Sequence, residues 1–202
     1  MSQTVPTSTD AIESRLQQTG ALLRGHFLLS SGLHSDQYIQ CARLLSHPQH
    51  AEFVGQALAA AVRDAGLGDV DVVLGPALGG ILVAHEVARA LGVRALFAER
   101  EAGALTLRRG FSLSAGERVL IVEDVITTGG SAVETAALAQ RLGGQVVGYA
   151  AIVERGRDHG LQPLLSLWRV QPQLFAAAAC PLCDAGSRAE KPGSRALPAT
   201  SL

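Results

Sequence analysis

The densest chemistry in the chain lies in one run, Glu123-Asp124-Val125-Ile126-Thr127-Thr128-Gly129-Gly130-Ser131, between an apolar stretch and an alanine-rich one. Two glycines let the backbone approach an anion closely. Exposed N–H groups at a helix start, together with the helix dipole, favour a phosphate there. Thr127, Thr128 and Ser131 add hydroxyl donors. The two carboxylates just upstream would repel a phosphate placed on them, and suit hydroxyl groups or a divalent cation instead. Together these residues describe a ligand with vicinal hydroxyls near a monophosphate: a ribose 5-phosphate. Neither common nucleotide fingerprint fits, because no GxxxxGK occurs and no GxGxxG follows a strand. Acids and glycines after a strand are often plain loop punctuation, so the specificity comes from the length of the string, Val119 to Ser131.

Ligands of open α/β sheets bind outside the carboxyl ends of the strands, and the flanking pattern predicts such a sheet. Residues 71–75, 93–99, 118–124 and 145–154 read as strands, and 80–92 and 131–144 as helices between them. Glu123 and Asp124 then fall at a strand end. Pro48 opens a further helix, in which Phe53, Val54, Ala57, Leu58, Ala61 and Val62 recur at helical spacing before Gly66. Ahead of it, residues 11–19 read as a helix capped by Asp10, and 25–41 as a small hairpin-like piece. Residues 103–113 read as a basic ribbon or loop. The polar, proline-bearing segment 186–202 is expected to be a frayed tail behind a single domain, 1–185.

Composition narrows the functions available. The formal net charge is −1, which supplies no basic field for nucleic acid. Lys191 is the only lysine among seventeen Lys and Arg residues, so a mechanism needing a core lysine is excluded. No apolar run approaches the ~18 residues of a membrane span, and the first residues carry no secretory pattern. Three cysteines do not make a disulfide framework. A cytoplasmic protein without membrane or nucleic-acid partners is expected.

The string from Val119 to Ser131 resembles the phosphoribosyl-pyrophosphate (PRPP) signature of the type I phosphoribosyltransferases. The resemblance implies that the loop grips the 5-phosphate and that the acids hold the ribose hydroxyls. Four more stretches are similar to elements of the orotate-specific members. "SSGLHSDQYIQ" (30–40) resembles their hood motif, and "LGPALGGI" (74–81) their pyrophosphate-cradling turn. "FAEREAGALTLRRGF" (97–111) resembles their mobile catalytic loop, and "AIVERG" (151–156) the strand ending in a base-binding arginine. The fold implied is the α/β type I phosphoribosyltransferase fold, a mostly parallel sheet flanked by helices, with a hood at about 1–45 and a core at about 46–170. The reaction implied is transfer of phosphoribose from PRPP to orotate, giving orotidine 5′-phosphate in pyrimidine synthesis. Mg²⁺ would arrive with PRPP, and the working unit would be a homodimer. Thr127 and Arg155 would contact orotate, while Asp124, Glu123 and Arg100 would be the catalytic candidates.

Arginine suits planar recognition of carboxylate and phosphate, and Arg100, Arg108, Arg109, Arg155 and Arg157 fall on expected loops or strand ends. The catalytic loop departs from the family pattern, with no lysine or histidine between 97 and 117. Arginine there can neutralise pyrophosphate but is a poor general acid. Cys180-Pro-Leu-Cys183 is a lone CxxC, read as a reduced packed turn, because Cys41 is distant and zinc needs four ligands. No protein metal site is expected. His34 sits in the hood motif within reach of substrate, His85 is a surface or structural residue, and His26, His47 and His50 show no ligand spacing. Trp168 is expected in the core or an interface. Three rival readings are a purine-specific relative, a PRPP-sensing regulator on the same fold, and a receiver-like signalling domain. The last wants a lysine that this chain lacks.

Overall fold

The computed structural model describes residues 9–29, 31–156 and 159–192. Ser30 of the hood motif, Arg157 and residues 193–202 of the expected tail lie outside the described residues. In chain order the elements are α1 (Thr9–Gln18), β1 (Leu22–Leu28), β2 (His34–Ile39), α2 (Cys41–Leu45), α3 (Pro48–Asp64), β3 (Val72–Pro76) and α4 (Gly79–Leu91). These are followed by β4 (Arg94–Glu101), β5 (Ala104–Leu107), β6 (Arg118–Ile126), α5 (Gly130–Arg141), β7 (Gln145–Arg155), β8 (Leu164–Val170), β9 (Leu174–Phe175) and α6 (Pro181–Asp184).

The main sheet has the order β5-β4-β3-β6-β7-β8. Every pairing in it is parallel except β4 with β5. β3, buried at all five positions, has the continuous apolar run of a strand covered on both faces. The two cores confirm those faces. Val73, Leu120, Val122 and Ile152 pack with α3 and α4, while Val72, Leu74, Val119 and Ile121 pack with Ala132, Ala136 and Ala139 of α5. Small alanines on α5 let it sit close to the sheet. Trp168 on β8 is buried in the first core.

The chain crosses from β3 to β4 in one direction and from β6 to β7 in the other, so the order reverses between β3 and β6. Pairing there stops at Leu74 and Ile121, although β6 continues to Ile126. The acid pair therefore sits inside a strand whose neighbour has turned away, not at its last residue. β4 and β5 form a hairpin through Ala102 and Gly103, both with positive φ, the backbone that two-residue hairpins favour. The expected basic ribbon or loop at 103–113 is β5 followed by a loop, and β5 pairs back on the strand expected at 93–99.

A second, three-stranded sheet has the order β1-β2-β9. The expected hairpin at 25–41 is β1 with β2, joined by a C-terminal strand that sequence patterning did not reveal. His34 pairs with Phe175 and Ser35 with Leu174. The hood is thus built from both ends of the chain, and the boundary at about residue 45 captures only part of it. The frayed tail expected from residue 186 also needs correction. Leu28 N–H donates to Glu190 O at 2.7 Å and Glu190 N–H to His26 O at 2.8 Å, which fixes this stretch on the edge of β1. Satisfying an edge strand's open backbone groups is the physical reason it is held.

α3 and α4 pack through Gly55, where a Cβ would lie 2.5 Å from Glu86 O, a backbone atom that cannot swing aside. Gly55→Ala gains about 1 kcal/mol of helix propensity, but the backbone overlap forces the helices apart at about 2–3 kcal/mol, the upper part of the overpacking range. The expected outcome in a thermal melt is a Tm lower by about 2–6 °C. An unchanged or raised Tm would show that the two helices separate freely.

Candidate active site

A cleft of about 1050 Å³ opens where β3 and β6 part. Its floor is the acid pair and the loop that follows, with Glu123, Asp124, Val125, Thr127, Thr128 and Ser131 all lining it. Opposite lies the turn from β3 into α4, Pro76 to Gly80, the "LGPALGGI" stretch. Hood residues Leu28, Leu29, Leu33 and Tyr38 form the roof, and Arg155, Gly156, Gln171, Pro172 and Leu174 close one side.

Local backbone geometry explains the glycines. Gly129 is the N-cap of α5 with φ +77°, and a Cβ there would meet His159 Cβ at 3.0 Å and Leu161 Cδ1 at 3.2 Å. The chain turns into the helix in a left-handed conformation against a packed wall, and only glycine allows both. Across the cleft, a Cβ on Gly79 would lie 2.7–2.8 Å from the Asp124 carboxylate. Backbone and acid thus come into near contact, which holds the two loops at one distance. Asp124 Oδ1 also accepts a hydrogen bond from Val125 N–H at 2.9 Å. Behind it, burial first and the Asp124 charge second push the Cys41 thiol well above its ordinary pKa, so it stays protonated.

α5 presents its first turn to the cleft, with Ser131 in it and Thr127 and Thr128 exposed just before. Among the described residues no side chain caps that helix end, so its leading N–H groups are placed to receive an anion. Thr135 satisfies the Ser131 carbonyl at 2.7 Å from inside the helix. Ile126 differs from the expectation. It is 1% exposed and packs in the α5-side core, so only its backbone belongs to the loop. Val125 packs towards the other core, so the strict alternation of the strand, under which Ile126 would share the face of Asp124, is broken at this end of β6.

Arg155 ends β7 at the cleft. Its Nη2 is buried and has no hydrogen-bond partner among the described residues. Burial lowers the guanidinium pKa, while Tyr38 and Asp36 oppose that shift. An arginine keeps its proton under these conditions, so the site presents a half-buried cation whose Nη2 is an unmatched donor among the described residues. A carboxylate of a ligand is the group that matches it.

The other predicted cations lie elsewhere. Arg100 pairs with Glu134 at 2.6 Å, Arg108 with Glu101 at 3.6 Å and Arg109 with Glu99 at 2.9 Å, all on the β4–β5 side and none lining this cleft. Arg109 holds the Glu99 carboxyl below its ordinary pKa. These pairs are largely exposed, so they are weak and exchangeable. Lys191 needs the opposite correction. The lysine assigned to a frayed tail lines the cleft, brought there by the segment held on β1. No spacing rule could have found it, since its position depends on pairing across the whole chain length.

Two expectations for the hood also change. His34 is buried and does not line the cleft; its Nδ1 lies 2.8 Å from His26 Nε2. Cys180 and Cys183 reach the same pair of rings, so the CxxC is not isolated. The two histidines lie eight residues apart with no ligand pattern, and the hairpin alone makes them neighbours. His85 is exposed on α4 beside Glu86, as expected of a surface residue. Among the described residues no helix is long and apolar enough to cross a membrane.

Comparison with known proteins agrees with this geometry. Residues 41–163 match the phosphoribosyl transferase domain family. The orotate phosphoribosyltransferase of Acidithiobacillus ferrooxidans is 49% identical over 193 residues, covering 94% of this chain and 99% of that protein. The Pelotomaculum thermopropionicum enzyme of the same name is 51% identical over 191 residues, covering 93% and 98%. In three dimensions, the crystal structure of orotate phosphoribosyltransferase from Aeropyrum pernix superposes with a TM-score of 0.68 at 28% identity, over 79% of this chain and 93% of that one. With the parted strands, the acid pair and the threonine-glycine loop in one cleft, the chain belongs to the orotate phosphoribosyltransferases of the phosphoribosyl transferase domain family.

Proposed function

We infer that the chain transfers the 5-phosphoribosyl group of PRPP to orotate, giving orotidine 5′-phosphate and pyrophosphate. The observation that carries this reading is one cleft holding two opposed recognition elements. The acid pair and the Thr127–Ser131 loop suit a ribose 5-phosphate, and the half-buried Arg155 has a buried Nη2 that lacks an acceptor among the described residues, which a carboxylated base would supply. A purine has no carboxylate to offer Arg155, which favours orotate over the purine alternative.

In this reading Thr127, Thr128, Ser131 and the N–H groups of Gly129 and Gly130 grip the 5-phosphate, with the α5 dipole behind them. Glu123 and Asp124 accept hydrogen bonds from the ribose hydroxyls. Orotate lies under the hood with its carboxylate on Arg155 and Thr127 beside it. The bond from the anomeric carbon to pyrophosphate breaks and its electron pair leaves with pyrophosphate, while a ring N–H of orotate gives up its proton to pyrophosphate or solvent and that nitrogen bonds to the opposite face. Most of the barrier reduction comes from alignment and from charge placed where it develops. The carboxylates lie where positive charge grows on the sugar. Mg²⁺, entering with PRPP, would neutralise pyrophosphate; the all-oxygen donors of Glu123 and Asp124 suit such a hard cation nearby.

The same reading takes the working unit to be a homodimer in which the exposed Arg100, Arg108 and Arg109 serve the other subunit's cleft. Arg100 would exchange Glu134 for the leaving pyrophosphate. A cytoplasmic setting is part of the same reading, and it accords with Cys41, Cys180 and Cys183 being outside any disulfide.

An orotate-absorbance assay with PRPP and Mg²⁺ tests each part. Asp124→Asn is expected to lower kcat by about 10²-fold or more, on the scale of losing one preorganised electrostatic group. Arg155→Leu is expected to raise the orotate KM by at least about tenfold, as for a lost hydrogen bond to a charged group, with the PRPP KM little changed. An equal rise in both would disconnect Arg155 from the base. Activity of the wild type with a purine and none with orotate would overturn the assignment itself.

The shared site has its own test. Arg100→Ala and Asp124→Asn chains, each nearly inactive alone, should recover roughly a quarter of wild-type activity when mixed and allowed to exchange, because half the mixed dimers' clefts are intact. No recovery despite demonstrated exchange would place Arg100 outside the partner's site.

A further inference from the structure

We propose that His26, His34, Cys180 and Cys183 form a structural zinc site that fastens the C-terminal segment to the hood. Their four ligand atoms lie within 4.8 Å of one another. His26 Nε2 is 3.5 Å from Cys180 Sγ and 3.8 Å from Cys183 Sγ, and His34 Nδ1 is 3.4 Å from Cys183 Sγ. A tetrahedron with Zn–N near 2.0–2.1 Å and Zn–S near 2.3 Å has N–S edges of about 3.6 Å, and edges of roughly 3.3 Å for N–N and 3.8 Å for S–S. Those three nitrogen–sulfur separations lie within about 0.2 Å of such an edge. The ring nitrogens, 2.8 Å apart, need to part by about half an ångström.

The surroundings orient the ligands as a metal requires. His26 Nδ1 lies 3.1 Å from Ser187 O. A carbonyl only accepts, so Nδ1 carries the proton and Nε2 presents its lone pair to the centre of the cluster. Metal-binding histidines are held by such outer contacts. Cys180 caps α6 and Cys183 follows within its single turn, so the pair converges on one point. The backbone fixes the rest: β2 pairs with β9 on one side, and Glu190 bonds around His26 on the other. His26, His34 and Cys180 are buried and Cys183 is only partly so, which leaves one way in for an ion.

Two thiolates and two imidazoles in a tetrahedron select zinc among common cellular divalent ions. All four positions belong to protein, so the site holds structure and performs no chemistry. Its place gives it a purpose. Leu28, Leu33, Leu174 and Lys191 line the cleft close in sequence to the ligands or their backbone partners. A crosslink from His26 to Cys180, 154 residues away, sets where that roof lies over the base. The competing description is a metal-free cluster of neutral rings and thiols joined by hydrogen bonds, or an oxidised Cys180–Cys183 pair.

The full-length protein, produced with zinc in the medium and purified under reducing conditions without chelator, should contain about one zinc per chain by elemental mass spectrometry. After chelation, Co²⁺ added to the apoprotein should give the intense visible bands of a tetrahedral ion and a near-ultraviolet thiolate charge-transfer band. Cys180→Ser, Cys183→Ser and His26→Ala should each lose or shift that signature, while His85→Ala, which removes an exposed histidine, should keep it. Chelation should lower the wild-type Tm by more than about 5 °C and leave the Cys180→Ser/Cys183→Ser double variant unmoved. Metal-free protein with three titratable thiols and no cobalt signature, a Cys180–Cys183 disulfide, or zinc retained at full stoichiometry in the double variant would each overturn the proposal. Because the readouts are metal content and spectra, they stand apart from the outcome with orotate.

Discussion

The parting of β3 from β6 is the constraint on which the rest of the molecule depends. Pairing ends at Leu74 and Ile121 because the chain leaves β3 for a helix on one face and β6 for a helix on the other. Right-handed crossovers on opposite faces must carry the following strands in opposite directions. A crevice at the carboxyl ends is the geometric result. β6 runs on beside it to Ile126, so Glu123 and Asp124 face a space that no neighbouring strand fills. The near contact of Gly79 with the Asp124 carboxylate then sets the crevice width.

Charge in this protein is local. With a net charge of −1, attraction for polyanionic ligands cannot come from a long-range field. Arg155 is concentrated inside the cleft, where burial strengthens its interactions. The ribbon arginines are instead stored against glutamates: Arg100 on Glu134, Arg108 on Glu101 and Arg109 on Glu99. Exposed ion pairs contribute little to stability, so exchanging one carboxylate for a phosphate costs little. That is a suitable state for groups that must engage a ligand and let it go.

The hood is assembled from distant parts. β9 extends the β1–β2 hairpin, and residues up to Lys191 run along its far edge. A hairpin alone is marginal in water, and here both edges receive a partner. The histidine–cysteine cluster lies where these segments meet. The roof is thus made from segments far apart in the chain, while the catalytic floor is built on consecutive residues of β6 and α5.

The sequence by itself determined the alternating sheet, the helix starting at Pro48 and the ligand loop. Each of these depends on short-range periodicity or on residues adjacent along the chain, as in the run from Glu123 to Ser131. It also pointed to Arg155 through a motif at a strand end. What only the tertiary structure decided is everything that rests on long-range pairing. Nothing near Leu174 signals an added hood strand, and Lys191 resembles tail until Glu190 pairs with β1. His34 resembles a ligand contact until the hairpin turns it towards His26. Packing into the α5-side core removed the Ile126 side chain from the loop's contact surface, and Glu134 of α5 holds Arg100 outside its own chain's cleft. Local pattern specifies which groups a segment offers; the fold, by closing loops of a hundred residues or more, decides which of them meet.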